Sequence, residues 1–160
     1  MEEKQMTSTG RETEKLYDKD SHRKEFEATV LSCEEKLTAN EEKTGWRIVL
    51  DRTAFFPEGG GQGADRGVLG EAQVLDAHDV GGVILHTLDK PLAVGAAVEG
   101  RVDWTRRLSM MQQHTGEHIL SGIICREHGY RNVGFHIGTE AVTVDFSGPL
   151  TQEEIRRAER

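Results

Sequence analysis

The apolar residues change their period once, at Asp103-Trp104, and this limits the chain to a strand-rich segment followed by a helical one. Before that point, short runs alternate apolar and polar residues, as half-buried strands do. These runs are residues 26–33 and 45–51, paired across a charged turn at 39–44, then 68–69, 72–78, 82–88 and 97–103, with Gly, Pro and Asp turn signals between them. Many short strands at regular spacing predict a small closed barrel. Beyond Trp104 a helical period runs to about residue 129. Gly116 and Gly122 interrupt it, each costing up to roughly 1 kcal/mol relative to alanine, so packing must offset them. The missing side chains would leave room for a substrate or a neighbouring strand. Residues 141–146 read as another strand, and Thr151-Gln-Glu-Glu154 is a capping box that starts a last helix.

The class is therefore α+β in three segments: a polar arm over residues 1–24, with Leu16 and Tyr17 its only sizeable apolar pair, a β-barrel domain over 25–103, and a helix-led domain over 104–160. The last helix has barely two turns before Arg160, too few to bury an amphipathic face. The second domain is thus expected to be incomplete in this piece, and the apolar surface so left is expected to favour self-association.

The helical segment carries the run His114-Thr-Gly-Glu-His118. Imidazoles four residues apart converge on one side of a helix, where they suit zinc. Ordinary amphipathic filling has the same spacing, with Met110, Met111, Ile119, Leu120, Ile123 and Ile124 supplying the core. Glu117 completes a His-x-x-Glu-His pattern in which a carboxylate can activate a metal-bound water, although a solvated surface carboxylate fits equally. Cys125 lies roughly 10 Å further along the axis and His128 further still, so a third ligand must come from elsewhere. His136 is the nearest candidate off the helix, and reads more readily as a strand or pocket-lining residue.

The other unusual stretch is Asp51-Arg-Thr-Ala-Phe-Phe-Pro-Glu-Gly-Gly-Gly-Gln62. Three glycines expose backbone N–H groups to a phosphate, a carboxylate or another backbone, or else turn a tight barrel corner. No Lys-Ser or Lys-Thr follows them, which excludes a Walker loop.

Composition narrows the class of partner. With 36% hydrophobic and 30% charged residues the chain is that of a soluble globular protein, and no window approaches the ~20 apolar residues of a membrane helix. A polar start and only two cysteines, Cys33 and Cys125, predict a reducing, cytoplasmic setting without disulfides or membrane. A net charge of -8 argues against gripping nucleic acid by bulk charge. A local patch remains, since Arg101, Arg106, Arg107, Arg126 and Arg131 flank the histidine helix.

Taken in order, Asp51-x-Thr53-x-Phe55-Phe56-Pro57-Glu58-Gly59-Gly60-Gly61-Gln62 with Asp65 and Gly67, Val102-Asp103-Trp104-x-Arg106-Arg107, Gln113-His114-Thr115-x-x-His118 and Val144-Asp145-Phe146 resemble one known family. It is the editing domain shared by alanyl-tRNA synthetases and free-standing AlaX-type alanyl-tRNA editing proteins. The resemblance implies a glycine-rich barrel followed by the domain common to threonyl- and alanyl-tRNA synthetases, here incomplete. It implies zinc held by His114 and His118 together with a downstream Cys-x-x-x-His, for which this chain has no match. Many relatives carry Thr before the second His, where this chain has Glu117. The expected activity is hydrolysis of mischarged Ser or Gly from alanine tRNA. Glu117 and Gln62 are expected as catalytic groups, and Gly59, Gly60, Gly61, Thr53, Arg106, Arg107 and His136 as contacts to the tRNA acceptor end. Two rival readings are another His-x-x-Glu-His metalloenzyme, either a zinc peptidase or an S-ribosylhomocysteinase-like lyase, and a tRNA- or partner-binding fragment without chemistry.

Overall fold

A computed structural model describes residues 11–160. In chain order the elements are β1 (Glu14–Lys15), α1 (Leu16–Lys19), β2 (Glu25–Leu37), β3 (Lys43–Leu50), β4 (Arg52–Thr53), β5 (Gly67–Leu69), β6 (Ala72–Val80), β7 (Val83–Leu88), β8 (Ala97–Val102), α2 (Trp104–His128), β9 (Asn132–Ile137), β10 (Val142–Phe146) and α3 (Gln152–Ala158). Their contacts divide the chain into two units. Within the described residues the first runs to Glu58 and resumes over Ala64–Arg106, and the second comprises Gly59–Gly63 and Arg107–Arg160.

The first unit is antiparallel apart from one short pair. Its strands pair in the order β2-β3-β7-β6-β5-β8, and β8 returns to β2, so the sheet closes into a barrel. Alternation drives the closure: Phe26, Ala28 and Val30 of β2 are buried while Glu25 and Glu27 are exposed. Phe26 packs edge-on against Phe55, ring centroids 5.5 Å apart. Its ring lies where a Cβ on Gly100 of the paired strand would be, 2.3 Å from the nearest ring atom, so only glycine fits there. The 2–3 hairpin is longer than its apolar pattern indicates, because exposed residues continue β2 to Leu37.

The expected polar arm requires correction where it can be compared. Residues 1–10 lie outside the described residues. From Thr13 onward the segment belongs to the barrel unit: β1 pairs in parallel with β4, Leu16 joins the core, and Tyr17 packs edge-on against Phe56. Burial of the Leu16-Tyr17 pair holds down an otherwise polar stretch.

In the second unit β9 and β10 form an antiparallel hairpin, and α3 begins with the capping box: the Thr151 hydroxyl accepts from Glu154 N while the Glu154 carboxylate accepts from Thr151 N. The expectation for Gly116 and Gly122 is corrected in one respect. A Cβ at either would meet no atom within 4 Å, so no strand of the described residues approaches them. No helix among the described residues is long and apolar enough to cross a membrane.

Candidate metal and substrate site

Residues i, i+3 and i+4 share a helix face, so α2 presents His114, Glu117 and His118 together. Their donor atoms lie within 4.8 Å of one another, and the two imidazoles stack at 4.9 Å between centroids with planes 24° apart. His118 is exposed and His114 half-buried.

The triple-glycine run forms a two-residue turn. Gly59 and Gln62 exchange both backbone hydrogen bonds at 3.0 Å, and Gly60 and Gly61 between them have φ of 58° and 81°. Positive φ at both central positions is the type I′ arrangement, which side chains resist. A second reason binds Gly61: a Cβ there would stand 2.5 Å from the Phe135 carbonyl oxygen, and the Gly61 carbonyl accepts from Ile137 N at 2.9 Å. The turn is thus fastened to β9. It carries Gln62 inward, where its Oε1 lies 2.9 Å from His114 Nδ1, and Phe135 flanks the same imidazole with centroids 5.2 Å apart.

Glu117 is not the solvated carboxylate that its position on a polar helix allowed. Its side chain is 3% exposed. Oε1 accepts hydrogen bonds from the Ser121 hydroxyl and the Asn132 amide, and Oε2 lies 3.3 Å from His118 Nδ1. The β9–β10 register slips between Asp145 and Phe146, which skips Val133. This bulge reverses the alternation locally and places Asn132 on the side of Phe135. Ser121, Asn132 and Phe135 were all missed in the sequence, where only the i+4 spacing of Ser121 from Glu117 was a signal.

The other anticipated residues stand elsewhere. Thr53 is fully buried in the barrel unit, where its hydroxyl bonds His86 Nε2 at 2.9 Å and accepts from Phe55 N. Burial pushes His86 down to about 4, against the opposing pull of the Ile48 carbonyl at its Nδ1. Arg106 spends its guanidinium on the Ala64 carbonyl, while its N–H is capped by Asp103. Arg107 is buried, and His136 is exposed on the face of β9 opposite Phe135. Cys125 is exposed, and His128 stacks on Tyr130. Gly59 and Gly60 are exposed beside His114.

The family of class II (A) tRNA synthetases matches residues 1–106. The alanine–tRNA ligase of Ignicoccus hospitalis is 38% identical over 155 residues, covering 92% of this chain and 16% of the ligase. That of Thermococcus kodakarensis is 42% identical over 159 residues, covering 93% and 16%. The alanyl-tRNA editing protein Aarsd1 of Bos taurus is 35% identical over 150 residues, covering 89% of this chain and 34% of Aarsd1. The chain therefore spans about one sixth of the length of these ligases and about one third of Aarsd1.

Proposed function

The chain belongs to the alanyl-tRNA synthetase family of class II, and from that membership we propose that it carries part of an editing hydrolase, one that removes Ser or Gly wrongly esterified to alanine tRNA. The observation that supports this best is the Gln62–His114 contact, because it joins the two motifs that are far apart in sequence, at 2.9 Å, beside an exposed glycine turn.

The donor set fits zinc. Gln62 accepting at Nδ1 leaves the His114 Nε2 lone pair for a metal, and His118 and Glu117 offer further donors within 4.8 Å. Zinc bound there would supply a Lewis acid and a more acidic water. The chain's own groups do the rest. Gly59 and Gly60 leave a surface free of side chains for the terminal adenosine and the aminoacyl group, and Gly61 seats the turn that presents it against Phe135. Gln62 fixes the tautomer and orientation of His114. Glu117 bears directly on the reacting centre, where the ester carbonyl is attacked by water. His136 and the arginines at 106 and 107 are proposed to serve the acceptor end only through the surfaces that they support, as their side chains are turned away or engaged. The proposed partner is the acceptor end of alanine tRNA, in the cytoplasm, with no membrane.

A deacylation assay with seryl- and glycyl-tRNA specific for alanine tests the reading. Replacing both His114 and His118 by alanine is expected to abolish turnover, and unchanged turnover overturns the proposal. Binding of that tRNA without turnover by the unaltered chain would favour the binding-fragment reading instead. No observation favours the peptidase or lyase.

A further inference from the structure

We propose that the outer face of the barrel where β5 meets β8 is a phosphate-binding surface, on which Arg66, Arg101 and Lys24 take the backbone of the tRNA acceptor stem. This deepens the proposed function and rests on its choice of tRNA as partner, but not on the metal or on hydrolysis.

Strand register brings these residues together. Val68 of β5 pairs with Arg101 of β8 on one side and with Gln73 of β6 on the other. All three side chains point outward, since Leu69, Ala72 and Val102 beside them are buried. Arg66 lies two residues before Val68 and shares that face. With Leu75 these residues line a groove of about 430 Å³. At the end of β8, Val102 N donates to the Lys24 carbonyl and Asp103 N to the Arg66 carbonyl, which sets a cationic residue on each side of the strand. The backbones of Lys24 and Arg66 therefore stand two strand spacings apart, about 10 Å.

The charges have the right sign and face water. Arg66 and Lys24 are exposed, and Lys24 holds its ammonium 4.9 Å from the Trp104 ring centroid, which orients the cation. Arg101 meets Glu25 at 3.2 Å, but the two side chains are 74% and 71% exposed, so the pair is weak and a phosphate can take the carboxylate's place. Asp103, the acid in the groove lining, turns its carboxylate to Arg106 N. Arg106 itself is spent on the Ala64 carbonyl and Arg107 is buried, so the stem calls on other cations. Guanidinium forks match phosphate oxygens, and a chain of net charge -8 needs a local cluster of this kind to hold RNA.

Acidic residues mark where the surface stops. Glu27 and Glu99 stand directly opposite each other across β2 and β8, both exposed. Carboxylates so placed repel each other and repel phosphate. The RNA is thus directed across the Arg66 end of the strands, where Val68 and Leu75, 36% and 44% exposed, lie against its riboses.

Binding of an alanine tRNA transcript to the full chain, followed against salt concentration, tests this without turnover. Arg66→Ala combined with Arg101→Ala should weaken binding about 10- to 100-fold at low salt and reduce the slope of log affinity against log salt by about 2. Removing the same charge from α3, by Arg156→Ala with Arg157→Ala, should leave binding nearly unchanged, and Glu99→Gln should tighten it. Equal losses in the two arginine pairs would reduce the effect to bulk charge and overturn the proposal, as would unchanged binding in the first pair or no binding by the unaltered chain. Displacement of the tRNA by polyglutamate as readily as by a short RNA duplex would also overturn it, in favour of an acidic protein. The seryl ester of adenosine has no stem, so its hydrolysis should be the same in the first pair as in the unaltered chain, and a loss there would overturn the proposal by placing the damage at the reacting centre. A chain that binds tRNA through these arginines but hydrolyses neither this ester nor seryl-tRNA would refute the deacylase reading and leave this one standing.

Discussion

Gln62 presents its side-chain carbonyl to His114 Nδ1 at 2.9 Å, although the two residues are 52 positions apart and neither is specified by the other's local sequence. With Nδ1 donating, the imidazole is locked as the tautomer whose Nε2 keeps a lone pair. Gln62 would therefore act, through His114, on a metal bound at that Nε2. Gln62→Ala should lower zinc affinity by about 10- to 100-fold, the usual cost of losing such a support. Competition against a chelator measures it, and an affinity equal to that of the unaltered chain would show that the contact tunes nothing.

The glycine turn allows a paired comparison. Gly61 (φ 81°) and Gly81 (φ 61°) both require the left-handed region, so alanine at either costs about 1–2 kcal/mol in backbone strain. Only at Gly61 does the new Cβ also meet backbone, the Phe135 carbonyl at 2.5 Å, whereas at Gly81 it meets nothing within 4 Å. Gly61→Ala should therefore push the turn off β9, withdraw Gln62 and weaken zinc binding, while Gly81→Ala leaves zinc binding intact. Equal zinc affinities in the two variants would refute this account of the triple-glycine run.

Apolar side chains in the second unit remain in water: Ile119 on α2 is 61% exposed and Val133 on β9 is 64% exposed. α2 buries Arg107, Glu117 and Ile124 of its 25 residues, and of the apolar positions whose spacing suggested a core Ile124 is buried, Met110, Met111, Leu120 and Ile123 are half-buried and Ile119 is exposed. Self-association through this surface is the expected consequence. Light scattering should show a mass that rises with concentration, and Ile119→Arg should suppress the rise. A monomer at all concentrations would contradict it.

The barrel strands, α2 and the final capping box were legible because each follows from a local rule: alternation, helical period, or a four-residue hydrogen-bonding signature. What escaped depends on partners far away in sequence. The strand at 132–137 was blurred by Gly134 and by the bulge, which makes the direction of Asn132 a property of its pairing with Phe146. Burial of Glu117 was illegible for the same reason, since its neighbours Gly116 and His118 are exposed and its closure comes from Asn132. The histidine pair and the glycine run could each be read as significant, and the family resemblance joined them, but only the fold shows that Gln62 is the residue making the contact. Thr53 illustrates the converse: it stands within a motif of the site yet serves the barrel interior.

That interior makes stability depend on pH. His86 is fully buried, donates from Nδ1 to the Ile48 carbonyl and receives the Thr53 hydroxyl at Nε2, an arrangement that requires the neutral ring. Burial lowers its pKa from the usual 6.5 to about 4. In the unfolded chain the ring protonates as pH falls through about 6.5, while in the folded chain it stays neutral to about 4, so between these values the unfolded state binds more protons. Its contribution is therefore complete above pH 6.5 and declines toward pH 4, by about 3 kcal/mol if the full shift is expressed. Urea midpoints taken between pH 7 and 4.5 should fall with acidity. Thr53→Val, which removes the hydroxyl from Nε2, should destabilise the barrel by about 1–3 kcal/mol at pH 7. His86→Gln should lose stability at neutral pH but flatten the acid slope, because no imidazole remains to titrate. A slope as steep in His86→Gln as in the unaltered chain would assign the acid sensitivity to other groups.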